Sequence, residues 1–377
     1  MILRIARELL EGNEVMMEPS FDLDRCPLPA GVPQVGIVCS YAPEELVYAA
    51  GLQPVRLCGS GQPVRNADSY LHNNLCPYVR GLFDEALAGR YDQCAGVVFV
   101  NSCDAMRRLH DVWRQYGRHG FVHLLDMLRV DDEDAIDYFA ARLREFAGAL
   151  AAHFGTAVSP DGLRAAVQRM NHTRQLVARL YALRASAPPA VSGGEAFPIL
   201  LAGVRSGPAE FQSELERYLT AREAAGPDRR HRGKPRLLIT GSVFHHPQII
   251  ELVEGAGAVV VAEDVCVGHR HYDGAVPDED DPFRAIARRY VQRVPCARMK
   301  DLARRHAYLG RLIDEFGVDG VIYHGLKFCD LYQYDFPLTQ QLLARRGLPV
   351  LYLETDYTTG SYGQLKTRLQ AFVELLA

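Results

Sequence analysis

Between residues 34 and 125, short apolar runs alternate with stretches whose apolar positions recur every three or four residues. Gln34-Val-Gly-Ile-Val-Cys39 reads as a buried strand. Ala42-Pro-Glu-Glu-Leu-Val-Tyr-Ala-Ala-Gly51 reads as a helix with Pro43 at its first position, acids in the first turn and Gly51 as its stop. Pro54-Val-Arg-Leu-Cys58 predicts a second strand, Tyr78 to Leu87 a helix, Gly96-Val-Val-Phe-Val100 a third strand, Asp104 to Tyr116 a helix, and Phe121-Val-His-Leu-Leu125 a fourth strand. Strands alternating with helices imply a parallel sheet covered on both faces.

From about Asp132 to Ala224 the strand signals disappear, and Ala-, Leu- and Arg-rich helical patterns follow, broken at Ser186-Ala-Pro-Pro-Ala-Val-Ser-Gly-Gly194. The polar stretch Ala225-Gly-Pro-Asp-Arg-Arg-His-Arg-Gly-Lys-Pro235 reads as a linker. Alternation resumes with Arg236-Leu-Leu-Ile-Thr240, Ala258-Val-Val-Val-Ala262, Gly320-Val-Ile-Tyr323 and Pro349-Val-Leu-Tyr-Leu353. The predicted fold class is α/β: two doubly wound parallel-sheet domains, Rossmann or flavodoxin-like, at 1–131 and 235–377, with a helical middle segment at 132–224. The two halves read as a weak duplication of one architecture, without a repeat long enough to prove it.

A chain of 377 residues, 48% hydrophobic, can bury a sizeable core and divides naturally into two or three domains. Its net charge of -4, with basic residues spread along the chain, gives no reason to expect a nucleic-acid partner. The cluster Arg229-Arg230-His231-Arg232 reads as solvated linker. Arg4, Arg7 and Glu8 interrupt the apolar N-terminal pattern, so no signal peptide is expected. No run of about 18 apolar residues suggests a membrane span, and the expected location is cytoplasmic.

Nine cysteines stand at 26, 39, 58, 76, 94, 103, 266, 296 and 329. The odd number and wide spacing argue against a disulfide scaffold. Without a C-x-x-C, the pair His119-x-x-x-His123 is weak evidence for structural zinc, so any metal ligands come from distant parts of the chain. Ligands of an open parallel sheet gather beyond the carboxyl ends of its strands. Cys103 follows the third strand, Cys329 follows Gly320-Val-Ile-Tyr-His-Gly-Leu-Lys-Phe, and Cys76 precedes a helix with Pro77 at its first position. A helix start favours a thiolate. Against this, most cysteines simply pack. Cys58 and Cys94 are expected to do so, Cys26 has no assigned place, Cys39 suits either reading, and Cys266 and Cys296 stay open. Spacing alone does not select a set.

A wider pattern does. Gly36-Ile-Val-Cys-Ser-Tyr-Ala-Pro-Glu-Glu-Leu-Val-Tyr-Ala-Ala-Gly51, Leu75-Cys-Pro-Tyr-Val-Arg80, Val97-Val-Phe-Val-Asn-Ser-Cys-Asp-Ala-Met-Arg-Arg108, Leu237-Leu-Ile-Thr-Gly-Ser242, Gly320-Val-Ile-Tyr-His-Gly-Leu-Lys-Phe-Cys-Asp330, and Leu353-Glu-Thr-Asp-Tyr357 with Gly363-Gln-Leu-Lys-Thr-Arg368 occur in this order. In these segments the chain resembles subunits of the 2-hydroxyacyl-CoA dehydratase and benzoyl-CoA reductase family, over nearly its whole length and least in the middle helices. The resemblance implies a 4Fe-4S cluster held by Cys76, Cys103 and Cys329, with Cys39 as the reserve ligand. Three thiolates on a cubane leave one iron open to water, hydroxide, a substrate oxygen or a bridging sulfide. It also implies a separate ATP-hydrolysing activator whose electron turns an acyl-CoA thioester into a ketyl radical anion, which acidifies the β-hydrogen and lets the α-hydroxyl leave.

This chain carries no G-x-x-x-x-G-K-[ST] of its own, and no G-x-G-x-x-G follows a strand to suggest flavin or NAD. Three roles follow from the resemblance. The chain is a dehydratase or benzoyl-CoA-type reductase subunit beside a homologous partner, a homodimer whose cubanes fuse into an 8Fe-9S double cubane that reduces small molecules, or an electron-transfer protein without catalysis. Among the remaining polar residues, Glu44 and Glu45 suit a helix's first turn, and Glu45 is the candidate proton carrier. Thr240-Gly-Ser-Val-Phe-His-His-Pro reads as a tight strand-to-helix connection or an anion-binding turn, with His245 and His246 on the surface. Asn101 and Ser102 are expected to cap the helix after Cys103. Tyr357 and Lys327 are candidate cavity-lining residues.

Overall fold

The computed structural model describes residues 20–358 and 362–376. The N-terminal pattern read against a signal peptide lies outside the described residues. The first half builds β1 (Gln34–Ile37), α1 (Glu44–Ala49), β2 (Gln53–Arg56), α2 (Pro77–Leu87), β3 (Cys94–Val100), α3 (Asp104–Tyr116) and β4 (Phe121–Leu125). Its strands run parallel in the order β2-β1-β3-β4. The run that predicted β3 is buried on both faces from Val97 to Val100, as a central parallel strand requires. Met106, Leu109, His110 and Trp113 form the buried stripe of α3 at helical spacing. One expectation fails in detail: Pro43 is the extended N-cap of α1, and Glu44 is the first helical residue.

The middle segment forms α4 (Glu133–Phe154), α5 (Pro160–Ala185), α6 (Gly193–Gly203) and α7 (Pro208–Ala225). The second half follows with β5 (Arg236–Gly241), α8 (Gln248–Gly255), β6 (Val259–Asp264), α9 (His269–Tyr272), α10 (Pro282–Gln292), α11 (Leu302–Glu315), β7 (Gly320–Leu326), α12 (Asp330–Arg345), β8 (Val350–Thr355) and α13 (Tyr362–Leu376). Its parallel sheet has the order β6-β5-β7-β8. Numbered within each half, both orders are the same, 2-1-3-4. Each sheet therefore switches direction between its first and third strands, and there the carboxyl ends open a crevice.

The helical middle shares its apolar faces with the two sheets. Ile136, Phe139, Leu143 and Phe146 of α4 join a core with Val35, Ile37, Val98 and Val100. That core is completed by Ile286, Tyr290 and Val291 of α10, a helix that belongs to the second half in sequence. The end of α5 and helices α6 and α7 pack instead with β5, β6 and β7. A fully buried ion pair, Arg184 to Glu263 at 2.6 Å, joins α5 to β6, and Tyr181 donates its hydroxyl to the same carboxylate. No helix among the described residues is long and apolar enough to cross a membrane.

Candidate functional site

Cys76, Cys103 and Cys329 occupy the same local position in three different places: each is the N-cap residue of a helix, α2, α3 and α12 respectively. Pro77 takes the first helical position of α2, as its fixed φ favours. Cys103 and Cys329 follow the third strand of their own sheets and are equivalents across the two halves. All three pack against one apolar cluster that includes Tyr78, Met106, Val243, Leu326 and Tyr357. At Cys103 a free N-H of the first turn meets the sulfur: Met106 N donates to Cys103 Sγ at 3.4 Å. The backbone N-H groups of Tyr78 and Tyr332 favour the thiolates of Cys76 and Cys329 electrostatically.

The expected cap at Asn101 or Ser102 is not formed. Asn101 donates its side-chain amide to Asp126 at 2.7 Å, and the cysteine itself caps α3. The sequence favoured oxygen caps because oxygen is the stronger acceptor, but α3 begins at Asp104, so the residue at the cap position is Cys103, and Ser102 and Asn101 lie one and two residues too early.

Cys76 and Cys329 act on each other: the Cys76 thiol, with Ser242 and the Tyr332 N-H, brings Cys329 down to about 7, while Cys329 and burial raise Cys76 well above the ordinary thiol value. Burial pushes Cys103 up to about 12, against the Met106 hydrogen bond, and it lies within electrostatic reach of Cys329, Cys39 and Cys296. Cys39 follows β1, across the switch point from Cys103. Among the described residues, no three His, Cys, Asp or Glu side chains gather around a point that one metal ion could fill. A cubane presents four irons at separate corners to thiolates from separate elements, and three cysteines on three helix starts suit that shape.

The floor of the site is a histidine–tyrosine pair. His245 is buried, with Nδ1 2.7 Å from the Tyr357 hydroxyl, and both rings lie against Tyr78. This corrects the surface placement expected for His245, since the turn after β5 folds inward and the next helix begins only at Gln248. Burial holds His245 well below its usual range, hence neutral, and its Nε2 has no partner among the described residues. Tyr357 sits at φ +66, where a bulky side chain is strained. Gly59 permits that position, because a Cβ there would stand 2.8 Å from the Tyr357 ring. The Thr240-Gly-Ser turn is held from within the protein: Thr240 Oγ1 donates to Asp264 at 2.7 Å, and Ser242 Oγ, which also faces Cys329, accepts from Leu326 N at 3.2 Å.

The other candidates lie elsewhere. Glu45 is fully buried and bound to Arg174 and to the Tyr290 hydroxyl, the latter at 2.9 Å, and it bonds none of the three cysteines among the described residues. Burial opposes its charge, yet Arg174 and Arg289 hold its carboxyl below the usual range. Its neighbour Glu44, desolvated and beside Glu45, rises to about 7. Lys327 is exposed. His119 accepts from Trp113 Nε1 at 3.0 Å and meets the Tyr91 carbonyl at 2.9 Å, while His123 lies on β4 against Phe146. Arg56, at the end of β2, was missed. It is buried within electrostatic reach of Cys39, Cys58 and Cys266, and only its place at a strand's carboxyl end could have flagged it.

A family model described as 2-hydroxyglutaryl-CoA dehydratase, D-component, matches residues 39–376. The Escherichia coli protein YjiM, named as a dehydratase subunit, is 28% identical over 360 residues, covering 92% of each chain. The (R)-phenyllactyl-CoA dehydratase beta subunit of Clostridium sporogenes is 23% identical over 348 residues, again 92% of each. A benzoyl-CoA reductase subunit from Thauera aromatica is 24% identical over 342 residues, covering 89% of this chain and 88% of that one.

Proposed function

The chain belongs to the 2-hydroxyglutaryl-CoA dehydratase D-component family, and from that premise we propose that it is the iron-sulfur subunit of a 2-hydroxyacyl-CoA dehydratase or benzoyl-CoA reductase-like enzyme. It works beside a homologous subunit or a second copy of itself, and a separate ATP-dependent activator supplies its electrons. The observation that carries this reading is the convergence of Cys76, Cys103 and Cys329, each at a helix start, on one apolar cluster. These three hold a 4Fe-4S cluster, with Cys39 in reserve. The cluster supplies low-potential electrons and an iron free of protein thiolate.

The chain's own residues do the rest. The positive ends of three helices, with the Met106 N-H at Cys103 and the Ser242 hydroxyl beside Cys329, stabilise negative charge on the sulfurs. Val243, Leu326 and Tyr78 keep water from them, and neutral His245 holds the Tyr357 hydroxyl in one orientation.

The test is iron and acid-labile sulfide per chain after anaerobic purification, with native mass for stoichiometry. About four irons per chain are expected, most of them lost in Cys76→Ala and Cys329→Ala and retained in Cys94→Ala. An iron-free wild-type chain, or full iron in Cys329→Ala, overturns the proposal.

A further inference from the structure

A second, open pocket of about 590 Å³ lies among α10, α11 and the segment just after α9. Arginines 288, 289, 293, 304 and 311 line it, an unusual density of positive charge for a chain whose net charge is -4. Three of the five are neutralised locally. Arg288 pairs with Glu133 and Glu279, each at 2.6 Å, Arg304 pairs with Asp131, and Arg311 pairs with Asp273 at 3.0 Å.

Arg289 and Arg293 differ. Both are buried, 4% and 5% exposed, and neither forms an ion pair among the described residues. Arg289 donates to the carbonyls of Gly274, His271 and Asp273. Arg293 donates to Ser40 Oγ at 2.8 Å and lies 4.3 Å from the Tyr41 ring centroid. Arg289 Nη1, Arg293 Nε and Nη1, and the nearby His271 Nδ1 are buried without a hydrogen-bond partner among the described residues. Two carboxylates lie within electrostatic reach of Arg289 without pairing with it: Glu45 is already engaged by Arg174 and Tyr290, and Glu44, desolvated beside Glu45, rises to about 7. Burial first, and then the Arg174 charge, push Arg289 down to about 9. Two buried guanidiniums with unmet donors and no ion-pair partner among the described residues are costly unless an anion completes them.

We propose that this pocket binds a phosphate-bearing ligand, whose phosphate is held by Arg289 and Arg293. A phosphate has the charge and the number of acceptor oxygens to meet two guanidinium forks, and the pocket has room for more than the phosphate. Its position gives it a use. Arg293 holds Ser40, the residue after Cys39, and Cys296 lies within electrostatic reach of Cys103. A ligand anchored by its phosphate therefore sits behind the cysteine site. If the source is the CoA part of a thioester substrate, that assignment rests on the function proposed above, whereas the phosphate site itself does not.

The experiment is calorimetric titration of CoA, ADP, inorganic phosphate and phosphate-free pantetheine into the full-length protein, with Arg289→Met, Arg293→Met and Arg311→Met alongside, each checked by circular dichroism. Phosphate-bearing ligands should bind and pantetheine should not. Arg289→Met and Arg293→Met should each weaken binding about tenfold or more, the usual scale for a lost charge-assisted hydrogen bond, and Arg311→Met much less. CoA binding more tightly than ADP and phosphate supports the site with CoA as its source, and the reverse order supports it with a free nucleotide or phosphate. The proposal is overturned if no phosphate ligand binds the wild type, if pantetheine matches CoA, or if folded Arg289→Met and Arg293→Met bind like the wild type. The pantetheine comparison and the salt dependence of wild-type binding keep the test decisive should a variant fail to fold. Iron content of the same samples reads the cluster separately, so neither failure can pass for the other.

Discussion

Cys103 does two jobs that substitution can separate. As the N-cap of α3 it accepts one hydrogen bond, from Met106 N at 3.4 Å. Removing a cap costs about 0.5–2 kcal/mol, and a sulfur acceptor at that length places Cys103→Ala near the lower end. With an unfolding entropy of about 2.1 cal/mol/K per residue over 377 residues, such a loss lowers Tm by only about 1 °C. Cys103→Ser keeps an acceptor and should melt with the wild type or slightly above it. If the thiolate matters for iron, both variants should nevertheless lose most of it, since a hydroxyl is a poor substitute for a thiolate. The assay is convenient because Trp113, the only tryptophan, is fully buried on α3 itself. Its fluorescence reports unfolding while a colorimetric assay counts iron. Iron that follows Tm, kept in Cys103→Ser and lost only in Cys103→Ala, would refute the ligand role and leave Cys103 a cap.

Breaking the buried pair by Arg184→Met should cost about 3–5 kcal/mol because Glu263 is left charged, with only the Tyr181 hydroxyl as a partner. The double variant Arg184→Met/Glu263→Leu should recover most of that in a denaturant titration, and equal losses in both would contradict the argument. Glu44 titrates near 7 in the folded chain against 4.5 for its ordinary value. The folded state therefore binds the extra proton, and stability should fall as pH rises from about 4.5 to 7, by roughly 3 kcal/mol. Glu44→Gln should remove that fall, and identical pH profiles by thermal melting would count against the assignment. The purified chain alone should hydrolyse no ATP and should turn over only with an ATP-dependent reductant added; phosphate release without an activator would reveal a nucleotide site the sequence does not display.

Local pattern carried much of the architecture. Asp104 to Tyr116 and Phe121 to Leu125 are a helix and a strand with the predicted ends, because their periodicity and flanking residues agree with their packing. Cys76 and Cys103 precede helices that the sequence predicted, Cys76 through the signal of Pro77, whereas the helix that begins after Cys329 was not predicted and only the strand before it was. What local pattern could not carry was convergence. The approach of Cys329 to Cys76 depends on bringing two sheets together across more than half the chain. His245 looked like surface because a polar turn usually is, and nothing nearby in sequence announces that Tyr357 will cover it. The unmatched charges of Arg289 and Arg293 were invisible for the same reason, since arginine on a helix normally finds solvent or an acid.

The crossing of α10 onto the first core has a consequence for synthesis. Val276 and the buried residues of α10 from Ala285 to Val291 complete an apolar cluster whose other buried members lie between Val35 and Leu163, so a nascent chain that has already emitted all four strands of its first sheet still exposes part of that sheet's helical cover. The N-terminal half leaves the ribosome without the helix that completes its core. It must wait, sticky and incomplete, until nearly three hundred residues have emerged, and loop closure over that distance is slow. A chain built from two like halves thus gives up the usual benefit of modular construction, in which the first module is safely folded before the second arrives.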